Sequence, residues 1–350
     1  MRLLFVHYLL ADRGSAQDVH RFALTAKTLG HEVALYGPPN PSSPFNYSMD
    51  VESADAVIFI FEWTTALQFG DRLDLARLVA RTPRRRRVVI DCDGKYNDAI
   101  RVVGDYNHPD EAASRQWIAA CDSLSDKIYQ PTYHPLRRNV ATCFFHAYDP
   151  AWEMPLDFRR KEYGFFYVGH NWFRWRAMLR MLLALEPVRE RIGRMGMLGH
   201  GWGSLPPWAN PSISADAYYS DAMYLKKLDI EVLPPISFDK VIDNMSKGVI
   251  HPVILRPLFS HLQLVTCRTF ETFAANTIPL FSAEERYVQE IYGDSALELV
   301  LPLEQPHEKI RDVLERPERY VDVVREIRRH LSEKHSYRVR LQELVDMVQR

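Results

Sequence analysis

Between residues 263 and 281 the chain gathers side chains able to hold a phosphorylated small molecule. Thr266 is a suitable N-cap for a helix starting at Cys267. The amides of Arg268 and Thr269 are then expected to point out of the helix N-terminus. With the Arg268 guanidinium they form a seat for a diphosphate. Glu271 follows within a turn and a half, where one carboxylate can accept from both hydroxyls of a ribose. Asn276 ends the helix and Pro279 lies in the strand after it. A second candidate is Asp91-Cys92-Asp93 at a strand end. Two carboxylates at this spacing can hold a divalent metal under a diphosphate; Asp93 is otherwise read as a cleft residue near an acceptor.

Other conspicuous residues have plainer readings. The run of four arginines at 84–87 reads as a solvated loop before a buried strand, with a patch for an anionic acceptor as the alternative. His134 and His251 each precede proline and read as structural loop histidines. Trp172, Phe173 and Trp175 read as core.

These groups must be positioned by a repeating scaffold. Apolar runs at 2–8, 31–36, 55–61, 87–91, 127–130 and 140–146 predict buried strands, with helices over 18–29, 65–80 and 109–121 between them. The pattern lapses near 148–158, which holds two prolines and a tryptophan. It then resumes, with strands over 163–168, 196–198, 230–233, 252–255, 278–281 and 296–300. Helices are expected over 172–185, 217–227, 239–247, 267–275 and 284–292. Such alternation predicts parallel sheets covered by helices, an α/β fold of two doubly wound, Rossmann-like units. Ligands of such sheets lie beyond the carboxyl ends of the strands, so two sheets facing each other share one cleft. The expected division is 1–152, 153–335 and a terminal helix, 336–350, that returns to the first unit.

Composition narrows the function class. The chain has 350 residues, 47% hydrophobic and 25% charged, with a formal net charge of -1. A general phosphate-backbone binder usually carries a basic domain, and neither half is a polycation. None of the four cysteines forms a C-x-x-C pair, so neither a zinc site nor a disulfide framework is indicated, and free thiols fit a reducing cytoplasm. No stretch of ~20 apolar residues is present, so no membrane span is expected.

Residues 270–279, Phe-Glu-Thr-Phe-Ala-Ala-Asn-Thr-Ile-Pro, resemble the signature of retaining GT-B glycosyltransferases of the large group 1, family 4-like superfamily. The Arg-Thr-Phe-Glu form looks most like its spore-maturation-protein-like (CgeB-type) branch. The resemblance implies a GT-B fold, a nucleotide-diphosphate-sugar donor as co-substrate on the second domain and an acceptor on the first. It implies that Glu271 binds the ribose and that Arg268 and Thr269 lie at the diphosphate. Gln263 stands where the superfamily often has a glutamate near the donor sugar; it keeps hydrogen bonding without charge.

Further segments fit the same resemblance. Residues 166–171 followed by Arg174 and Arg176 look like the turn opening the donor domain, which places His170, Asn171 and both arginines at the diphosphate, Arg174 as the cation facing the leaving group. Residues 198–202 resemble the strand that opens into the cleft. The 233–238 loop, with Ile236, is similar to the one reading the base, and Gly14-Ser15 to the first cleft loop. Retention is implied, with no resident cofactor or metal; the D-x-D metal hallmark belongs to the single-domain GT-A class. If configuration instead inverts, a base is needed, and Asp18, Asp93 and His20 are the candidates. The rivals are a nucleotide-sugar 2-epimerase of the same architecture, a transferase acting on modified nucleic acid, and a non-catalytic GT-B-shaped binding protein.

Overall fold

The computed structural model describes residues 1–7, 14–38, 45–62, 75–97 and 111–349. Two wholly parallel sheets organise them. The first has seven strands: β1 (Arg2–Val6), β2 (Glu32–Tyr36), β3 (Tyr47–Ser48), β4 (Ala56–Phe61), β5 (Arg87–Asp91), β6 (Ile128–Gln130) and β7 (Val140–Thr142), in the order β3-β2-β1-β4-β5-β6-β7. The second has five: β8 (Tyr163–Val168), β9 (Met195–Leu198), β10 (Ile230–Leu233), β11 (Gly248–Pro252) and β12 (Ile278–Leu280), in the order β10-β9-β8-β11-β12. Strand order reverses at β1/β4 and at β8/β11, so each sheet opens a crevice at the carboxyl ends of its central strands.

The sequence explains which strands are central. Leu3–Val6 and all of Ala56–Phe61 are buried on both faces, as continuous apolar runs under helices must be. β3 is two half-buried residues at the edge, too short for a pattern to reveal, and it was not expected.

Several boundaries differ from expectation. The helix after β8 is Trp175–Leu185, beginning three residues late because Phe173 has φ 54° and cannot join a helical turn. β11 ends at Pro252, where a strand was expected to begin, so His251 lies inside a strand and not in a loop. The expected strand over 296–300 is instead the short 3-10 helix Asp294–Leu299, with one bridge between Phe281 and Val300. Residues 257–262 form an unanticipated helix, opened by Pro257 at its first position. The first turns of the helix expected over 65–80 lie outside the described residues.

Two crossings join the sheets. One runs through residues 149–158. The other is at His335-Ser336, where the Tyr148 amide donates to the His335 carbonyl at 2.8 Å. The last helix, Tyr337–Gln349, lies against the Gly14–Thr28 helix and buries Tyr337, Leu341, Leu344, Val345 and Met347 in one cluster with Leu3, Phe5, Val19 and Phe22. Among the described residues no helix is long and apolar enough to cross a membrane.

Candidate active site

The carboxyl ends of the two sheets face each other. Gly94, just after β5, has φ 68°, and a side chain there would strike Leu262 and Leu264 of the second sheet's flank. The Val265 amide donates to the Pro131 carbonyl at 2.8 Å, and Arg256 pairs with Asp93 at 3.6 Å, both across the interface.

The helix Cys267–Ala274 projects its N-terminus into this cleft. A capping box closes it, with Thr269 Oγ1 accepting from the Thr266 amide at 3.2 Å. Phe270, Phe273 and Ala274 anchor the helix in the core, which fixes where its other face points. That face carries Glu271, whose side chain is only 4% exposed; its Oε2 lies 3.6 Å from Arg268 Nε and makes no hydrogen bond. Burial pushes the Glu271 pKa up, against the pull of Arg268. A carboxylate in this condition has unmet accepting capacity. It borders a cavity of about 360 Å³ whose other walls come from both units: Gln17, His20 and Arg21 on the first helix, Trp152 in the crossing, and Phe238, Asp239 and Ile242 after β10.

Behind the helix N-terminus lies a group of imidazoles and cations. His170 Nδ1 accepts from the His200 amide at 2.9 Å, which leaves Nε2–H as the donor. Burial, with His200, Arg174 and Arg268 nearby, lowers its pKa to about 4, so it is neutral. Arg174 donates to the His170 carbonyl at 3.0 Å. Gly199, with φ 140°, lets the loops after β8 and β9 touch, since a side chain there would meet the Gly169 carbonyl. His251 accepts from the Val168 amide at 3.2 Å; burial and then Arg268 lower its pKa to about 3.

On the first sheet's side, Asp18 accepts from Tyr337 Oη at 2.6 Å and pairs with His146 Nδ1 at 2.9 Å. Burial alone would lower the His146 pKa. The charge and hydrogen bond of Asp18, with Glu62 and Glu271 behind, outweigh it and raise the value to about 9. His7 and Glu62, immediately beyond β1 and β4, pair at 3.3 Å. Asp91 accepts from the Lys95 and Tyr96 amides and from Gln130 Nε2, at 3.0, 2.7 and 2.8 Å. The expected Asp91/Asp93 pair is therefore split between a turn lock and an interface ion pair. Burial raises the Asp93 pKa to about 6, against Arg256 and Lys95.

The structure thus brings together Arg268, Glu271, His170 and Arg174, and sets Ile236 half-buried in the loop that leads to Phe238 at the cavity. It corrects several other expectations. The Thr269 amide donates back to the Thr266 carbonyl and its side chain is buried in the capping box, so neither is presented to a diphosphate. Gln263 is spent on backbone: Nε2 donates to the Ser260 carbonyl of the helix it ends, and Oε1 accepts from the Arg286 and Tyr287 amides at 3.0 and 3.2 Å. Asn171 is fully buried, bracing the Gly201 and Tyr219 carbonyls. Arg176 is exposed, on a helix whose opposite face holds the core. Asp18 has both oxygens engaged and so is no ready base. Gly14 and Ser15 begin the first helix, and their side chains lie outside the described residues.

The arginine run is also resolved. Arg84 pairs with Asp126 at 2.7 Å, and Arg86 and Arg87 donate to backbone carbonyls. The run leads into β5, whose first residue is Arg87, at the end of the sheet opposite the cleft.

Sequence reading passed over Glu62, His146, Arg256 and Tyr337 as functional-site residues. For Glu62 the available signal was positional, since a polar residue directly beyond an apolar strand of a parallel sheet is a cleft candidate; His146, Arg256 and Tyr337 stand farther from any strand end and carried no such signal.

Comparison with known proteins agrees with this architecture. A family described as "Glycosyl transferase-like" matches residues 180–346. No curated protein sequence matches the chain. The fold is similar to a DNA-modifying beta-glucosyltransferase solved with and without uridine diphosphoglucose, at 12% identity and TM-score 0.57 over 99% of both chains. It is similar to an alpha-glucosyltransferase solved with UDP and DNA containing an HMU base, at 12% identity and TM-score 0.61 over 100% of both. It is also similar to sucrose-phosphate synthase from Thermosynechococcus elongatus, at 9% identity and TM-score 0.62, over 99% of this chain and 98% of that one. The whole chain therefore has the GT-B fold of glycosyltransferases, and its residues 180–346 are glycosyl transferase-like in sequence.

Proposed function

We propose that the protein is a glycosyltransferase that moves a sugar from a nucleotide-diphosphate sugar to an acceptor hydroxyl, with retention and without a bound metal. The observation that carries this reading is the buried Glu271 carboxylate, with one oxygen lacking a hydrogen bond, beside Arg268 on a cavity walled by both units. Glu271 clasps the ribose. Arg268 and Arg174, with the Nε2–H of neutral His170, hold the diphosphate and offset its charge as it departs. Arg174, which touches the His170 carbonyl, takes this role in preference to the exposed Arg176. The acceptor enters from the first sheet's side. In a retaining reaction its hydroxyl attacks from the face the diphosphate leaves. The CgeB-type branch is the subgroup that the Arg268–Glu271 sequence suggests.

A second reading, transfer to a modified base in nucleic acid, has the likeness to DNA-modifying glucosyltransferases in its favour. The engagement of Arg84, Arg86 and Arg87 away from the cleft weighs against it. Calorimetric titration of the protein and of Glu271→Gln with nucleosides and nucleoside diphosphates tests the donor site. Absence of any nucleotide binding would refute the proposal. Product anomer analysis by NMR, repeated with a chelator present, tests retention and metal independence.

A further inference from the structure

The far end of the Glu271 helix is held in an unusual way. Its last carbonyls have no partner within the helix, as at any helix C-terminus. Arg328, on the helix Val321–Lys334, supplies one guanidinium to three of them: Nε donates to Phe273 at 2.7 Å, and Nη2 to Ala274 and Ala275 at 3.2 and 2.9 Å. The same guanidinium reaches outside the helix. Nη1 donates to the Met154 carbonyl at 2.8 Å, in the crossing between the two sheets, and lies 3.6 Å from Glu153. The Met154 amide closes the loop by donating to the Ala274 carbonyl at 2.8 Å.

Arg328 is 6% exposed. Burying a guanidinium is costly unless its donors are met, and here four carbonyls meet them. Capping alone would not require this, since a glycine commonly ends a helix. The Arg328 helix also leads, within about two turns, into the second crossing at His335-Ser336, which pairs with Tyr148. One side chain thus ties the donor-side helix to the first crossing and stands next to the second.

We infer that Arg328 is a positioning residue for the nucleotide: it sets where Glu271 and Arg268 stand relative to the first unit. This rests on the donor-site reading above. A lysine keeps the charge but lacks the planar fork that spans the helix end and Met154 together.

The test uses the full chain, with UDP, GDP and ADP as probes in calorimetry, well below the thermal midpoint of each variant. Arg328→Lys is expected to weaken the nucleotide that wild type binds best by about tenfold. In the Glu271→Gln background the same change should cost less than about threefold, because the group it positions has been altered. Equal costs in both backgrounds, or unchanged affinity in Arg328→Lys, would overturn the positioning role while leaving the donor site intact. Should the variant not fold, wild-type hydrogen exchange decides: saturating nucleotide should slow the Met154 amide severalfold, and unchanged exchange there overturns the inference. A wild type that binds none of the three nucleotides overturns the donor-site reading and this inference with it.

Discussion

Glu271 and His146 are two buried ionisable groups in one cleft, with different fates. Glu271 keeps an unmet oxygen and faces a cavity, so its loss should be felt by ligand more than by fold. Glu271→Gln is expected to weaken nucleoside and nucleoside diphosphate alike by tenfold or more, at ~1.4 kcal/mol per decade. Arg268→Ala should weaken the diphosphate much more than the nucleoside, because a guanidinium at the phosphates does not sense the base. Calorimetry on the four combinations checks both. His146 is instead satisfied by Asp18 and serves stability. Its pKa rises from an ordinary 6.5 to about 9 on folding. Its contribution, on the order of 3 kcal/mol, is therefore complete below pH 6.5 and disappears as pH climbs through 9. Urea unfolding at pH 6, 7.5 and 9 should show wild type weakening over this window. Asp18→Asn should be less stable at pH 6 and lose the decline; a decline of equal size in the variant would rule out the pair as its source.

At the scale of elements, the last helix is the informative one. Leu341 is fully buried among strands laid down at the other end of the chain. Leu341→Ala should cost about 2–5 kcal/mol, as core leucine truncations do, although it lies outside the cleft. Tyr337→Phe should cost less, about 1–3 kcal/mol, since it removes one hydrogen bond to a buried carboxylate. Denaturant midpoints compare the two, and equal or reversed losses would mean that the helix is held by Asp18 and not by its apolar face.

For the whole molecule, charge and topology bear on the acceptor. Both ligand-binding edges face one cleft, and the arginine run sits at the opposite end of the first sheet, with Arg84, Arg86 and Arg87 already engaged. Binding to unmodified duplex DNA at ~150 mM salt is expected to be no tighter than ~10⁻⁶ M, the tight end of sequence-independent contacts. Arg84→Ala should lower stability slightly and leave that weak binding unchanged. Fluorescence anisotropy across a salt series measures it, and binding well tighter than micromolar with a steep salt slope would favour the nucleic-acid reading.

Local pattern was enough for the two doubly wound units, because apolar runs such as Ala56–Phe61 can be satisfied only between helix layers. It also located the Glu271 helix, since Thr266 as cap and Phe270 and Phe273 as anchors are local features. What local pattern could not decide is which polar atoms are left over. Gln263, Asn171 and Thr269 look like ligand contacts in sequence, yet each is drawn into backbone hydrogen bonds by neighbours close in space. Asp18 met Tyr337 only because the chain crossed back to the first sheet, and it met His146 only because the first helix packs beside the end of β7; Arg328 reached Met154 only because its helix packs against the end of the Glu271 helix. The hydrophobic period determines secondary structure residue by residue, whereas hydrogen-bond satisfaction is settled by every buried group at once, and that requires the tertiary fold.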